Sequence, residues 1–313
     1  MTNRHPSVFR YPGGKSWLAP AVRSWLARTG YPDVFVDLFA GGGSIALMVA
    51  AEHLAGRVVM IELDRAVAAV WRVLVDGSDQ DVAVLTGRIA GFEMTTENVR
   101  ALLDAPPAGL VEAAFTTIVR NRAQRGGIMT ARAGLLNRGE RDRGISSRWY
   151  PATLISRIEA TRAFRHRIDF IHGDALELIG AYHGAAMFAD PPYSAGGKNA
   201  GARLYTHHRV DHDRLFALIH RHAGDALLTY DDNPDVRALA AAHGFDVGTA
   251  AMQTCHHRRV HELVIAKRAG QYPFASSSAA VNSTTARPSS VPHPRVGGTA
   301  QGCPSSSVPS NPS

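Results

Sequence analysis

The chain has 313 residues, 45% hydrophobic and 19% charged, with a formal net charge of +7 and a pI near 9.8. That length holds one large α/β domain plus a smaller insert, and the basic balance favours a polyanionic partner, although Arg- and Ala-rich usage alone also raises a pI. Two cysteines, Cys255 and Cys303, sit in unrelated contexts and exclude a disulfide framework or a cysteine zinc site.

In chain order, the N-terminal Met-Thr-Asn-Arg-His-Pro has no apolar export core. A soluble, reduced, cytoplasmic protein without membrane association is therefore the expectation. Phe9-Arg10-Tyr11-Pro12-Gly13-Gly14-Lys15 reads alone as a turn with a solvated lysine. A strand is predicted over 34–38 and a helix over 44–55. The stretch 34–51 is apolar enough to suggest a membrane span, but Asp37 and Gly41-Gly42-Gly43 suit a strand, loop and helix instead. A strand over 58–61 ends at Glu62, and a helix over 65–75 follows. From residue 76 the pattern changes: helices are predicted over 85–92, 97–103 and 110–122, followed by Gly- and Arg-rich chain. Strands at 168–171, 185–189, 226–230 and 262–266 alternate with helices at 213–222 and 234–243. The alternation predicts a mostly parallel sheet covered on both faces. The expected organisation is a discontinuous catalytic domain over 1–75 and 165–269, a helical insert over 76–164, and a disordered Ser/Pro-rich tail over 270–313.

Val34-Phe35-Val36-Asp37-Leu38-Phe39-Ala40-Gly41-Gly42-Gly43-Ser44 is a strand, a glycine loop and a helix start. Glycines let a backbone approach a ligand that a Cβ would exclude. Asp37 at the strand end would repel phosphate and welcome an ammonium or sulfonium cation. Glu62, about 20 positions on, can accept both hydroxyls of a ribose. Lys15 could pair with a ligand carboxylate while Tyr11 packs on the ligand's apolar part. Asp174 could accept from an adenine amino group, cap a helix, or do both.

Asp190-Pro191-Pro192-Tyr193 follows the apolar run 185–189. A carboxylate, rigid carbonyls and a stacking ring at a strand's carboxyl end suit a planar base bearing an exocyclic NH2. The same four residues could also serve as an ordinary strand-ending turn.

Together and in this order, Tyr-Pro-Gly-Gly-Lys at 11–15, Asp-Leu-Phe-Ala-Gly-Gly-Gly at 37–43, Glu62, Gly-Asp at 173–174 and Asp-Pro-Pro-Tyr at 190–193 resemble the Dam-type class of S-adenosylmethionine-dependent DNA adenine-N6 methyltransferases. The resemblance runs from about Phe9 to Lys267, with the insert between cofactor and catalytic motifs. It implies a Rossmann-like methyltransferase sheet, mostly parallel and seven-stranded with one antiparallel strand, and a helical target-recognition insert. It implies S-adenosylmethionine contacts from Tyr11, Gly14, Lys15, Asp37, Phe39, Gly41, Gly43, Glu62 and Asp174, and catalysis by Asp190, Pro191, Pro192 and Tyr193. DNA and a monomeric state are implied as well, and a cognate restriction enzyme in the same host stays open. Glu62 stands where many relatives carry Asp, which preserves the carboxylate.

The insert carries Arg120, Arg122, Arg125, Arg132, Arg138, Arg141, Arg143 and Arg148, against Glu140 and Asp142. These suit phosphate contacts, with arginines that could read guanine edges. Arg120-Asn121-Arg122 and Gly126-Gly127 resemble the core of the Dam recognition domain, but the residues after Gly127 depart from it, so a target sequence cannot be inherited. His208 and His212 lack a third ligand of suitable spacing, and no metal is expected. Amino methylation at cytosine N4 shares this geometry but usually carries Ser at position 190, and RNA or protein-glutamine acceptors generally go with Asn there. A catalytically silent DNA-binding module of the same fold is the alternative from another class.

Overall fold

The computed structural model describes residues 7–11, 14–130, 133–139, 143–192, 207, 209–253 and 259–268. Tyr193, Arg132, His208 and the tail lie outside them.

Seven strands form one sheet: β1 (Val34–Asp37), β2 (Arg57–Glu62), β3 (Ile168–His172), β4 (Ala186–Ala189), β5 (Ala226–Asp231), β6 (Asp246–Gln253) and β7 (Arg259–Ala266). Their order is β3-β2-β1-β4-β5-β7-β6, with β7 antiparallel to both neighbours and the rest parallel. This is the sheet the motifs implied. The chain moves outward from β1 to β3, then returns to place β4 on the other side of β1. That reversal is a topological switch point, where open α/β sheets bind ligands.

Strand side chains alternate between two cores, as a pleat covered on both faces requires. Phe35, Val58, Met60, Ala186, Phe188 and Leu227 face one core. Val36, Val59, Ile61, Met187, Leu228 and Tyr230 face the other. Helices α1 (Ala19–Arg28), α2 (Ser44–Ala51) and α3 (Arg65–Val75) contribute Trp25, Leu47 and Trp71 to the first core. Helices α8 (Ala175–Leu178), α9 (His212–Arg221) and α10 (Pro234–Ala242) contribute Leu176, Phe216 and Val236 to the second.

The stretch expected as an insert forms α4 (Asp79–Gly91), α5 (Thr96–Asp104), α6 (Leu110–Ala123) and α7 (Pro151–Ala163). A capping box between Ser78 and Asp81 opens α4. These helices do not close around a core of their own. Leu85, Ile89, Val99, Phe115, Ile118, Leu154 and Ile158 join the cluster that holds Trp71 and Met60. Trp149 is buried with its ring 5.8 Å from that of Phe92. The helical stretch is thus packed onto the sheet's covering layer, and an insert variant that loosens this core should also disturb α3.

Among the elements given no predicted range are α1 and β6. Helix α1 has helical spacing at Val22, Trp25 and Leu26 and a proline in its first turn. Strand β6 contains Gly248 and adjacent alanines, weak strand formers whose pairing with β7 supplies the order.

Candidate active site

The carboxyl ends of β1, β2, β3 and β4 open into one cleft of about 1440 Å³. Its lining includes Tyr11, Gly14, Lys15, Asp37, Phe39, Gly41, Glu62, Asp174, Asp190 and Pro192. The loop after β1 and the ledge after β4 therefore meet in one space, because β1 and β4 pair directly: Asp37 stands opposite Phe188, and the Leu38 amide donates to the Phe188 carbonyl at 2.9 Å.

The glycine loop is shaped by its neighbours as well as by any ligand. Gly41 has φ +47° and Gly43 φ +67°, conformations that side chains resist. A Cβ on Gly41 would lie 2.8 Å from the Tyr11 ring, and one on Gly43 2.8 Å from the Trp71 ring. The Trp71 indole donates to the Gly41 carbonyl at 2.9 Å, and the Ser7 hydroxyl donates to the Gly42 carbonyl. Phe9 sits edge-on to Trp71 at 5.6 Å. The aromatic side chains of the N-terminal segment and α3 thus clamp the loop, with Tyr11 over Gly41 and Gly42.

Two carboxylates stand at the loop. Asp37 is 2% exposed, and its Oδ1 is buried without a hydrogen-bond partner. Burial, then the Asp190 charge, pushes its carboxyl up to about 8, against the opposing pull of the Phe39 and Ala46 amides. A buried acceptor left without a partner is costly, and a cation entering the cleft would relieve both the empty acceptor and the charge repulsion. Glu62 accepts from the Gly41 amide through Oε2 and from the Asp64 amide through Oε1, both at 2.7 Å. Burial raises its carboxyl to about 7, partly offset by those amides. Each of its oxygens has a second lone pair available to a hydroxyl. Asp174 caps α8, accepting from the Leu176 amide at 2.9 Å, and also lines the cleft. This donor set fits a ligand with a cationic end and a hydroxylated sugar. Asp37, Glu62 and Asp174 themselves do not suit a phosphate.

Lys15 is placed differently from expectation. It is 2% exposed, with Nζ 3.0 Å from Asp190 Oδ1 and 3.3 Å from Glu262 Oε2. Burial alone would lower its ammonium; the two carboxylates overcome that and raise it. Protein carboxylates on the ledge and on β7 thus hold its ammonium, while the residue also lines the cleft. The Thr229 hydroxyl, from β5, donates to the same Asp190 oxygen at 2.7 Å. Pro191 is buried behind Asp190, and Pro192 lines the cleft. Glu262 and Thr229 were missed by the sequence reading. Their signal was a polar side chain inside an apolar strand, since a buried Glu in β7 calls for a partner.

Within the Asn-Arg…Gly sequence, Asn121 and Arg122 bind the N-terminal segment. Asn121 is 1% exposed; its Nδ2 donates to the Arg10 and Gly127 carbonyls at 3.1 and 2.9 Å, and its Oδ1 accepts from the Arg10 amide at 2.8 Å. Arg122, 5% exposed, donates to the Val8 carbonyl. A Cβ on Gly127 would lie 2.0 Å from the Arg10 carbonyl oxygen. These residues clamp the 7–11 segment, and through it Tyr11, against α6. Asn121 is thus a clamp within the protein and not an exposed nucleic-acid contact. Arg125 and Arg138 are exposed and Arg120 half-buried.

No family model matches this sequence, and no curated protein matches it. Among solved structures, the chain is similar to precorrin-6y C5,15-methyltransferase from Geobacter metallireducens GS-15, with 11% identity and TM-score 0.34 over 79% of this chain and 84% of that one. It is similar to the rRNA methyltransferase aviRa from Streptomyces viridochromogenes, with 14% identity and TM-score 0.36 over 86% and 89%. An rRNA methylase from Streptococcus thermophilus gives 11% identity and TM-score 0.32 over 78% and 92%. The strand order, read directly from the sheet, carries the fold assignment. Among the described residues, no helix is long and apolar enough to cross a membrane.

Proposed function

We propose that the protein transfers a methyl group from S-adenosylmethionine to the exocyclic N6 of adenine in DNA, with the base swung out of the duplex. One observation carries the reading. A cation-seeking carboxylate beside a glycine loop and an Asp-Pro-Pro ledge face one cleft across the β1/β4 switch point.

When bound, S-adenosylmethionine supplies a sulfonium methyl and departs as a neutral thioether. Asp37 would receive its cationic end, Glu62 its ribose hydroxyls, and Asp174 its adenine amino group, with Tyr11 and Phe39 bounding the apolar sides. Asp190 accepts a hydrogen bond from the target amine, as does the Pro191 carbonyl. The amine lone pair, ordinarily delocalised into the ring, is thereby aimed out of the ring plane. Lys15 and Thr229 hold Asp190 Oδ1 before any base arrives, so little reorganisation is left for the reaction itself. The surplus amine proton leaves to Asp190 or to water. A base inside a duplex cannot reach this ledge, which is why extrusion is required. Tyr193 is assigned as the stacking surface from the motif.

A labelled-methyl assay tests the proposal. Label should enter DNA, and N6-methyladenine should be recovered on digestion. Cofactor binding by calorimetry together with DNA binding, but with no label in DNA, would make the protein a silent module of the same fold. Label in RNA alone would move the acceptor.

A further inference from the structure

The same cleft has a second electrostatic character. Arg10, Arg122, Arg148 and Arg157 all line it. They come from the 7–11 segment, α6, a short 3-10 helix (Gly144–Arg148) and α7, so only the fold brings them together. Bringing like charges together is unfavourable unless an anion joins them. Arg122 is buried with its Nε lacking a partner, although one terminal nitrogen donates to the Val8 carbonyl. Arg157 Nη1 donates to the Ser7 carbonyl at 2.9 Å, and its Nε also lacks a partner.

The charges acting on the pair are consistent with that geometry. Burial first, then Arg157, Arg10 and Arg148, pushes the Arg122 guanidinium down to about 9. Burial and Arg10 lower Arg157 as well. Among the described residues, no carboxylate acts appreciably on either one. The cleft thus carries Asp37, Glu62 and Asp190 at the strand ends and arginines where α6 and α7 meet the N-terminal segment.

We propose that these four arginines seat a backbone phosphate of the nucleic-acid strand that delivers the target base. The inference rests on the methyl-transfer reading for its substrate, and it joins Arg122, Arg148 and Arg157 of the 76–164 stretch to Arg10 of the N-terminal segment in one seat. Guanidinium forks match phosphate oxygens bidentately, and four of them exceed what one carboxylate needs. The strand-end carboxyl groups suit a base amine and the arginines suit a phosphate, so the two ends of a nucleotide have separate partners in the cleft. The seat is also mechanically linked to the cofactor loop. Arg157 holds the Ser7 carbonyl, and the Ser7 hydroxyl holds the Gly42 carbonyl.

The test measures the salt dependence of binding to a mixed-sequence duplex oligonucleotide by the full chain and by Arg157→Gln, Arg10→Gln, the two Gln changes combined and Arg157→Lys. Each Gln variant should lower the slope of log affinity against log salt, and the Arg10→Gln/Arg157→Gln double variant should lower it by about 0.9 in total, the share of the one phosphate seated on B-form DNA. Arg157→Lys should keep the slope. Calorimetry with S-adenosylmethionine shows whether the cofactor loop is intact in each protein, and Arg10→Gln keeps the question open to test should Arg157→Gln fail to fold. Unchanged slopes in folded Gln variants overturn the proposal. So does saturable binding of inorganic phosphate that the same variants abolish while the DNA slope stays put, since the seat would then belong to a free anion. A parent protein that binds no cofactor but keeps an arginine-dependent slope would sustain the seat while the methyl-transfer reading fails.

Discussion

Replacing Asp37 by Asn tests the cofactor side of the cleft at its most strained group. With the carboxyl at about 8 in the free protein, roughly a tenth of the molecules carry an ionised Asp37 at pH 7. A cation that pairs with the ionised form must first displace the proton, at a cost of about 1.4 kcal/mol for the one pH unit involved. Affinity for S-adenosylmethionine should therefore rise about tenfold from pH 6 to pH 7 and level off near pH 8, where the ligand's own α-ammonium starts to titrate. Calorimetry at pH 7 in two buffers of different ionisation enthalpy should count nearly one proton released per ligand bound. Asp37→Asn should weaken binding at pH 8 and abolish both the pH slope and the proton release. The unliganded protein should respond in the opposite direction. A carboxyl raised above its unfolded value of 3.8 gives its full stabilisation below that pH and loses it as pH climbs toward 8. Asn in its place should therefore help melting temperature at pH 8 more than at pH 4. Parent affinity that is flat between pH 6 and 8, or an Asn variant that binds equally well, would refute the assignment of Asp37 to a cationic ligand.

Asp190→Ala should abolish methyl transfer in the labelling assay while calorimetric cofactor affinity stays within a few-fold of the parent; near-normal turnover would remove the ledge from the chemistry. Glu262 is raised to about 7 by burial against the pull of Lys15, so its contribution to stability is lost as pH rises from about 4.5 through 7. Glu262→Gln should accordingly gain melting temperature relative to the parent between pH 5 and pH 8 and lose any activity step near pH 7; a pH-independent difference would detach it from the Lys15–Asp190 pair. Gly43→Ala forces a Cβ to 2.8 Å from Trp71 at φ +67° and should cost about 1–3 kcal/mol in urea unfolding, with cofactor affinity falling further than stability does. A fully stable, fully binding Ala variant would mean that the loop can shift away from Trp71.

Much of the fold was legible from local pattern. Runs at 34–38, 58–61, 168–171 and 226–230 became β1, β2, β3 and β5 within a residue or two, and helix α3 falls over 65–75 as predicted. Period-two apolar runs and capping residues act within a few positions, so a linear reading finds them. Strand β6 escaped because its order comes from pairing with β7 and not from its own glycine and alanines.

By itself, the sequence determined most of the segments that become strands and helices, that acidic residues and glycines end the strands around the cleft, and that the chain is basic. Only the tertiary structure decided that β4 lies beside β1, that Lys15 serves Asp190 and Glu262, that Asn121 clamps the N-terminal segment, and that four arginines from separate elements share the cleft. The physical reason is that secondary structure answers to neighbours along the chain. A side chain's charge, partner and role answer to whatever the fold sets within a few ångströms, here residues up to 247 positions apart, as for Lys15 and Glu262 (262 − 15).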